Sequence, residues 1–425
     1  MTEKGVKVLM NHSNKNQTKN LQSHSNNAAT VMLIIGIVFI SANLRASMTS
    51  VSPLISLIRD NLHISNALAG MITTLPLFAF ALFSPIVPNL ARKFGAQRVL
   101  FSSLITLTIG ILLRSWSGSF GLFLGTAIFG LSISVGNVLL PSIIKKEFPE
   151  QLGVMTGVYS VSMNIFAALA SGVSIPLAVG AGLGWTKALR IWAILSFVAV
   201  ILWIPQLRKK NQVVATVKKS NNIGNKSNNV NMWKSPLAWL VTLYMGLQSM
   251  VFFCLVAWLP DILIGQGMDS GKAGWMLSLM QFAVIPASFV GSVLAGRMAN
   301  QRLLMAFGSV FTIVGLLGLL FPSGLGLVSL WVIILGIGGG ITFILGMMFF
   351  SLRTKNADEA ASLSGMAQSI GFLLAAFGPM VLGYLNDAVN SWEMPTIILI
   401  GVVVLCWIVG DSASYNRYIS SNSEN

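Results

Sequence analysis

The chain is built from long apolar runs, and this constrains it more than any other feature. The first run covers residues 28–58 and holds a single charged side chain, Arg45, near its middle. A helix needs about 20 apolar residues to cross the hydrocarbon core of a bilayer. By that measure the sequence predicts twelve spans. Six lie near 29–57, 66–90, 98–117, 119–144, 152–179 and 187–205, and six near 236–263, 271–296, 302–321, 325–351, 360–385 and 393–411. Of 425 residues, 54% are hydrophobic and only 9% charged. Soluble domains carry about 25% charged residues, so the solvent around this surface is lipid.

The polar segments divide the chain. Residues 1–28 are rich in Asn, Lys, Ser and Gln and read as a disordered tail. Residues 29–205 form a first six-span half. Residues 206–234, with Arg208, Lys209, Lys210, Lys218, Lys219 and Lys226, form a basic linker. Residues 235–411 form the second half and 412–425 a short tail. The first apolar run is too long for a cleaved signal peptide.

Basic residues set the expected orientation. With the N-terminus in the cytoplasm, only Arg59, Arg114, Lys187, Arg190 and Lys272 fall outside, and Arg45 lies within a span. The rest of the 27 Lys and Arg residues fall inside. That bias predicts cytoplasmic termini and a cell-membrane location. The net charge of +15 is thus scattered over short loops and is no nucleic-acid footprint.

The two halves also repeat. Leu90-Ala91-Arg92-Lys93-Phe94-Gly95-Ala96-Gln97-Arg98-Val99-Leu100 aligns with Leu294-Ala295-Gly296-Arg297-Met298-Ala299-Asn300-Gln301-Arg302-Leu303-Leu304. The same offset places Ala69-Gly70 on Ala273-Gly274. Each copy follows the second span of its half. Repeated halves point to a secondary transporter whose substrate site lies near the midplane, between the repeats.

The architecture resembles the major facilitator superfamily. The 90–98 loop stands where that superfamily carries Gly-x-Leu-Ala-Asp-Arg-x-Gly-x-x-Arg. Here Pro88 replaces the first Gly and Arg92 the Asp. More specific stretches resemble the cyanate/2-nitroimidazole transporter (CynX/NimT) family. They are Asn43-Leu44-Arg45, Val138-Leu139-Leu140-Pro141, Gly246-Leu247-Gln248-Ser249, Ala257-Trp258-Leu259-Pro260, Leu363-Ser364-Gly365-Met366-Ala367-Gln368-Ser369, Gly378-Pro379 and Trp392. The resemblance implies an all-α integral membrane fold of two pseudo-symmetric halves. It also implies a transporter of a small polar or anionic solute.

Arg45 is the first candidate site residue. An arginine at mid-bilayer costs roughly 2.5–3.5 kcal/mol on insertion scales, so it normally faces a wet interior. Ser41, Arg45, Thr49 and Ser52 share one helical face. The functional reading is a fixed cation for an anionic or dipolar solute; the bland one is a clamp on helix-end carbonyls. Gln248 and Gln368 are expected to touch the solute, because the resembled fold lines its cavity with the first, seventh and eleventh spans. Asn43 joins them from the same motif as Arg45. Tyr159, Tyr244 and Trp258 are aromatic candidates for stacking on a planar solute. Asn137, Asn164 and Gln281 read rather as interhelical glue.

No Asp, Glu or His lies near the centre of a span, so no buried carboxylate relay is expected. Cys254 and Cys406 sit in apolar runs without metal-ligand spacing, and no metal, cofactor or catalytic group is expected. Partners are then a small-molecule substrate and the lipid bilayer, with a monomer expected and no nucleic acid. Two other functions compete. One is efflux of hydrophobic drugs, given the 20 Met and many aromatics. The other is a non-transporting membrane sensor, which would need an output domain that the short tails do not provide.

Overall fold

The computed structural model describes residues 30–64, 66–116, 118–217, 231–321 and 324–419. The tail 1–28, residues 218–230 of the linker and the last six residues lie outside this set. Among the described residues every regular element is a helix. In the first half these are α1 (Thr30–Leu54), α2 (Ile55–Leu62), α3 (Asn66–Phe83), α4 (Val87–Phe94), α5 (Ala96–Arg114), α6 (Gly118–Glu147), α7 (Leu152–Ile175), α8 (Gly184–Arg190) and α9 (Trp192–Val217). In the second half they are α10 (Pro236–Gly265), α11 (Ser270–Arg297), α12 (Arg302–Gly318), α13 (Leu325–Leu352), α14 (Ala357–Val389) and α15 (Glu393–Ala413).

Ten of these helical segments are long and apolar enough to cross a bilayer. The expected second span is the pair α3 and α4, which bends by 57°. Pro85 lies in the break, where it cannot donate a backbone hydrogen bond. The expected ninth span is α12, shorter than the rest. Together these supply the twelve spans. Helix α9 runs to Val217, well into the expected linker.

Helix α1 is also irregular. Its regular turns end near Thr49, and Ser52–Leu54 form a 3₁₀ turn around Pro53. The exposed carbonyls at this break are taken up by side chains of other helices. Arg114 Nη1 on α5 donates to Ser47 O at 2.8 Å, and Ser174 Oγ on α7 donates to Ser50 O at 2.8 Å.

The halves meet where α7 packs on α11, and where α3 and α6 pack on α14. Glycine permits the first contact. A Cβ on Gly153 would stand 2.5 Å from the Ser292 carbonyl oxygen, and one on Gly157 would stand 2.5 Å from Ser292 Oγ. Polar contacts close the same end of the bundle. Lys145 on α6 donates to Ser351 O at 2.6 Å and to Thr354 Oγ1 at 2.9 Å, and also reaches Thr354 O. Ser142 Oγ donates to Ala357 O at 2.7 Å, and Ser351 Oγ returns to Pro141 O at 3.2 Å. Alternation of the spans puts α1 and α15 at this end too, so the bundle is closed on the side of its chain termini.

Candidate functional site

Arg45 lies at the seam between the halves. Its Nη1 donates to Asn164 Oδ1 on α7 at 3.1 Å. Asn164 is held in turn by its own Nδ2, which donates to Ser160 O at 3.0 Å. One turn further along α1, Thr49 Oγ1 donates to Ala167 O at 3.0 Å, so the polar stripe faces α7. The other face of the guanidinium meets the second half. Its Cζ is 4.9 Å from the ring centroid of Phe252 on α10 and 5.5 Å from that of Phe343 on α13.

Among the described residues, no carboxylate pairs with this charge. Among the described residues, the recorded ion pairs are Arg59–Asp60 and Arg302–Asp411, both at helix ends. A guanidinium has five N–H donors, and the side chain is only partly buried. An anion approaching between α1, α7, α10 and α13 would therefore find donors to spare and an aromatic floor.

Gln248 borders this place on the α10 side. Only 4% of its surface is exposed, and its Oε1 is buried without a hydrogen-bond partner. It lines a narrow cavity of about 30 Å³ with Phe252, Ser309, Thr312, Gly339 and Thr342. Leaving a buried acceptor unsatisfied costs about 1–3 kcal/mol, so the group is poised for a ligand or water.

Beneath Arg45 lies a second polar layer. Tyr159 OH donates to Asn137 Oδ1 at 3.3 Å. Gln368 on α14 reaches across the seam, where its Nε2 donates to Asn137 O at 2.8 Å and contacts Ser364 Oγ at 2.9 Å. Gln368 Oε1 has no partner. Both Tyr159 and Gln368 are almost fully buried. They belong to the buried layer of the seam in this conformation. Asn137 and Asn164 do act between helices, as expected.

Three expected contacts lie elsewhere. Asn43 turns away from the seam, and its Nδ2 ties α1 to α9 through Leu195 O at 3.2 Å. Two residues along a helix rotate a side chain by about 200°, so Asn43 and Arg45 cannot share a face. Trp258 stands near the far end of α10. Its Nε1 donates to Pro379 O at 2.8 Å, and its ring packs 5.2 Å from Trp392, which makes it a clasp between α10 and α14. Tyr244 is a core residue of the second half, with its OH donating to Thr342 O at 2.6 Å.

Sequence reasoning missed Phe252 and Phe343, which carry no signal inside apolar runs. It also missed Arg114, counted among the outer basic residues because it stands near the end of a span. Arg114 is fully buried, with its Cζ 5.0 Å from the Phe129 centroid.

A family model for the Major Facilitator Superfamily matches residues 33–379 and, in a second match, 266–417. The chain belongs to the major facilitator superfamily. Within it, the sequence is 46% identical over 397 residues to the uncharacterized transporter YycB of Bacillus subtilis (strain 168), covering 93% of this chain and 96% of that one. It is 40% identical over 375 residues to the 2-nitroimidazole transporter of Escherichia coli (strain K12), covering 88% and 92%. It is 25% identical over 378 residues to the cyanate transport protein CynX of the same organism, covering 88% and 96%. The fold matches the superfamily proton:xylose symporter XylE with a TM-score of 0.69 at 13% identity, covering 92% of this chain and 98% of that one. This chain is thus a NimT/CynX-like member of the superfamily: a multi-pass membrane transporter, not an enzyme.

Proposed function

We propose that this transporter carries a small, flat solute that is anionic or strongly dipolar, of the cyanate or nitroimidazole kind. The observation that carries the reading is Arg45, a cation without a carboxylate, held at the seam between Asn164 and the rings of Phe252 and Phe343. A planar guanidinium grips two acceptor atoms of one solute at once. The rings and the unpartnered Gln248 Oε1 complete a site for a compact planar molecule. The relatives named for 2-nitroimidazole and cyanate transport support the same solute class.

Transport in this reading is alternating access. Residues 29–205 rock against 235–411, and the present conformation is the one closed at the terminal end. The excess of basic residues in the loops of that end supports a cytoplasmic location for it and for both termini.

A second reading has one observation in its favour. The cavity beside Gln248 is lined mainly by apolar side chains, among them Val251, Leu255, Met280 and Leu335, as a hydrophobic drug would require. Uptake into proteoliposomes separates the two. Labelled cyanate and 2-nitroimidazole should enter in competition with each other, and Arg45→Gln should block both. Undiminished transport of cyanate by well-inserted Arg45→Gln protein would take Arg45 out of the site, and transport of hydrophobic compounds with neither solute carried would favour the second reading.

A further inference from the structure

A second cavity, of about 500 Å³, opens at the terminal end of the bundle. Its walls are the α4–α5 turn, the end of α6, Leu207 in the middle of α9, and the first turn of α14. Four cations line it: Arg92, Lys93, Arg98 and Lys146. All four side chains are exposed, so the cavity is reachable from outside. Asp358 is the single acid of the lining. It sits in the first turn of α14, where the positive end of the helix dipole already offsets its charge.

Two further features mark the cavity as receptive to an anion. Helix α5 begins at Ala96 behind Gly95, which has φ 89° and no side chain to cap with. It also has no acid in its first turn and no side-chain cap; the Arg98 and Val99 amides turn back to Gly95 O at 3.1 Å, which leaves those of Ala96 and Gln97 at the head of the helix. Gly95, Gln97 and Arg98 all border the cavity, and helix N-termini bind phosphate through such amides. The wall is not wholly polar either. Ala91, Phe94 and Leu207 contribute an apolar side, and Phe94 is 52% exposed.

Like charges around one cavity repel unless a counter-charge enters it. We infer that this cavity is a binding site for a phosphate-bearing anion, held by Arg98, Lys146 and the residues of the α4–α5 turn. The phosphodiester of an anionic lipid and free inorganic phosphate share this chemistry. Basic pockets between transmembrane helices bind lipid headgroups in this manner. The site is separate from Arg45 and stands whether or not the solute assignment above is right.

The test uses full-length protein purified in detergent. Thermal stability and native mass spectra are recorded with phosphatidylglycerol, with phosphatidylcholine, and with inorganic phosphate against chloride at equal ionic strength. Phosphatidylglycerol should raise the thermal midpoint and remain attached where phosphatidylcholine does not. The double variant Arg98→Gln/Lys146→Gln should lose most of the retained lipid. The control Lys234→Gln/Arg417→Gln, with two exposed cations outside the cavity, should keep it. Asp358→Asn should retain more lipid, a gain that a merely damaged fold cannot produce. Protection by inorganic phosphate alone, lost in the cavity variant, would assign the free anion as the occupant. Protection by neither anion, or equal loss in cavity and control variants, would overturn the site.

Discussion

The guanidinium of Arg45 rests 4.9 Å above the ring of Phe252, so a cation of the first half sits on an aromatic of the second. This contact spans the seam that alternating access must open. A bare cation–π contact is worth about 0.5–2 kcal/mol, depending on desolvation. That is strong enough to order the site and weak enough to break in each cycle.

Substitutions at this pair have different expected outcomes. Arg45→Gln should nearly abolish solute uptake while leaving insertion and heat stability close to normal. Arg45→Lys keeps the charge but loses the planar fork, so it should transport weakly. Phe252→Leu removes the ring and should raise the apparent KM several-fold with little change in expression. Initial uptake rates in proteoliposomes, with detergent-solubilised melting curves alongside, measure both sides. A large loss of stability in Arg45→Gln would make Arg45 a structural clamp instead.

The α7–α11 crossing predicts a conformational bias. Gly157 has no room for a side chain: a Cβ there would lie 2.5 Å from Ser292 Oγ and 2.8 Å from a ring carbon of Phe289. Gly157→Leu should wedge the halves apart at the terminal end. Spin labels at the exposed positions Lys146 and Lys355 should then report a longer distance than in the parent protein. An unchanged distance distribution would show that the crossing does not hold that end closed.

Lys145 is the polar counterpart of that wedge. It crosses from α6 to the Ser351 carbonyl in the last turn of α13 and to the carbonyl and hydroxyl of Thr354 just beyond it, where a cation also meets the negative end of a helix dipole. Hydrogen bonds to a charged group are worth about 1.5–3 kcal/mol. Lys145→Met should therefore shift the same label pair toward longer distances and slow the return to the closed state. Combined with Gly157→Leu, it should add little once the end is already open.

These sites show what a sequence of this kind reveals. The twelve spans could be read because lipid forces the backbone to satisfy itself within each helix, and only long apolar runs can do so. Arg45 could be read because a charge stands out against such a background. The azimuth of each helix could not. Periodicity along α1 groups Arg45 with Thr49, but it does not say that Asn43 turns toward α9. Nor does it say that Trp258 meets Trp392 rather than the seam. Gln368 sits on a cavity-lining span, yet its partner, the Asn137 carbonyl, comes from the other half of the chain. Such contacts depend on which helices become neighbours, and an apolar run is compatible with many neighbours.

Arg114 supplies the sharpest contrast with Arg45. It too is a cation without a recorded carboxylate partner among the described residues, and it is fully buried. But its groups are turned inward. Nη1 donates to Ser47 O, Nη2 contacts Ser50 Oγ at 3.5 Å, and the ring of Phe129 covers Cζ at 5.0 Å. A Cβ on Gly125 would collide with its backbone, so α5 and α6 approach closely here. Arg114 thus fixes the broken end of α1, one turn beyond Arg45, and through it the position of the Arg45 side chain. Arg114→Met relieves a buried charge, which favours the variant, but it leaves the Ser47 carbonyl without this donor at a cost of about 1–3 kcal/mol. The expected result is a lower melting midpoint with transport reduced in proportion to the folded protein recovered, and a KM for solute that shifts only modestly. Arg45→Gln should show the reverse pattern, with normal melting and lost transport. If Arg114→Met melted normally yet lost transport as completely as Arg45→Gln, the two arginines would both have to face the solute, and the assignment of Arg114 as a brace for α1 would fail.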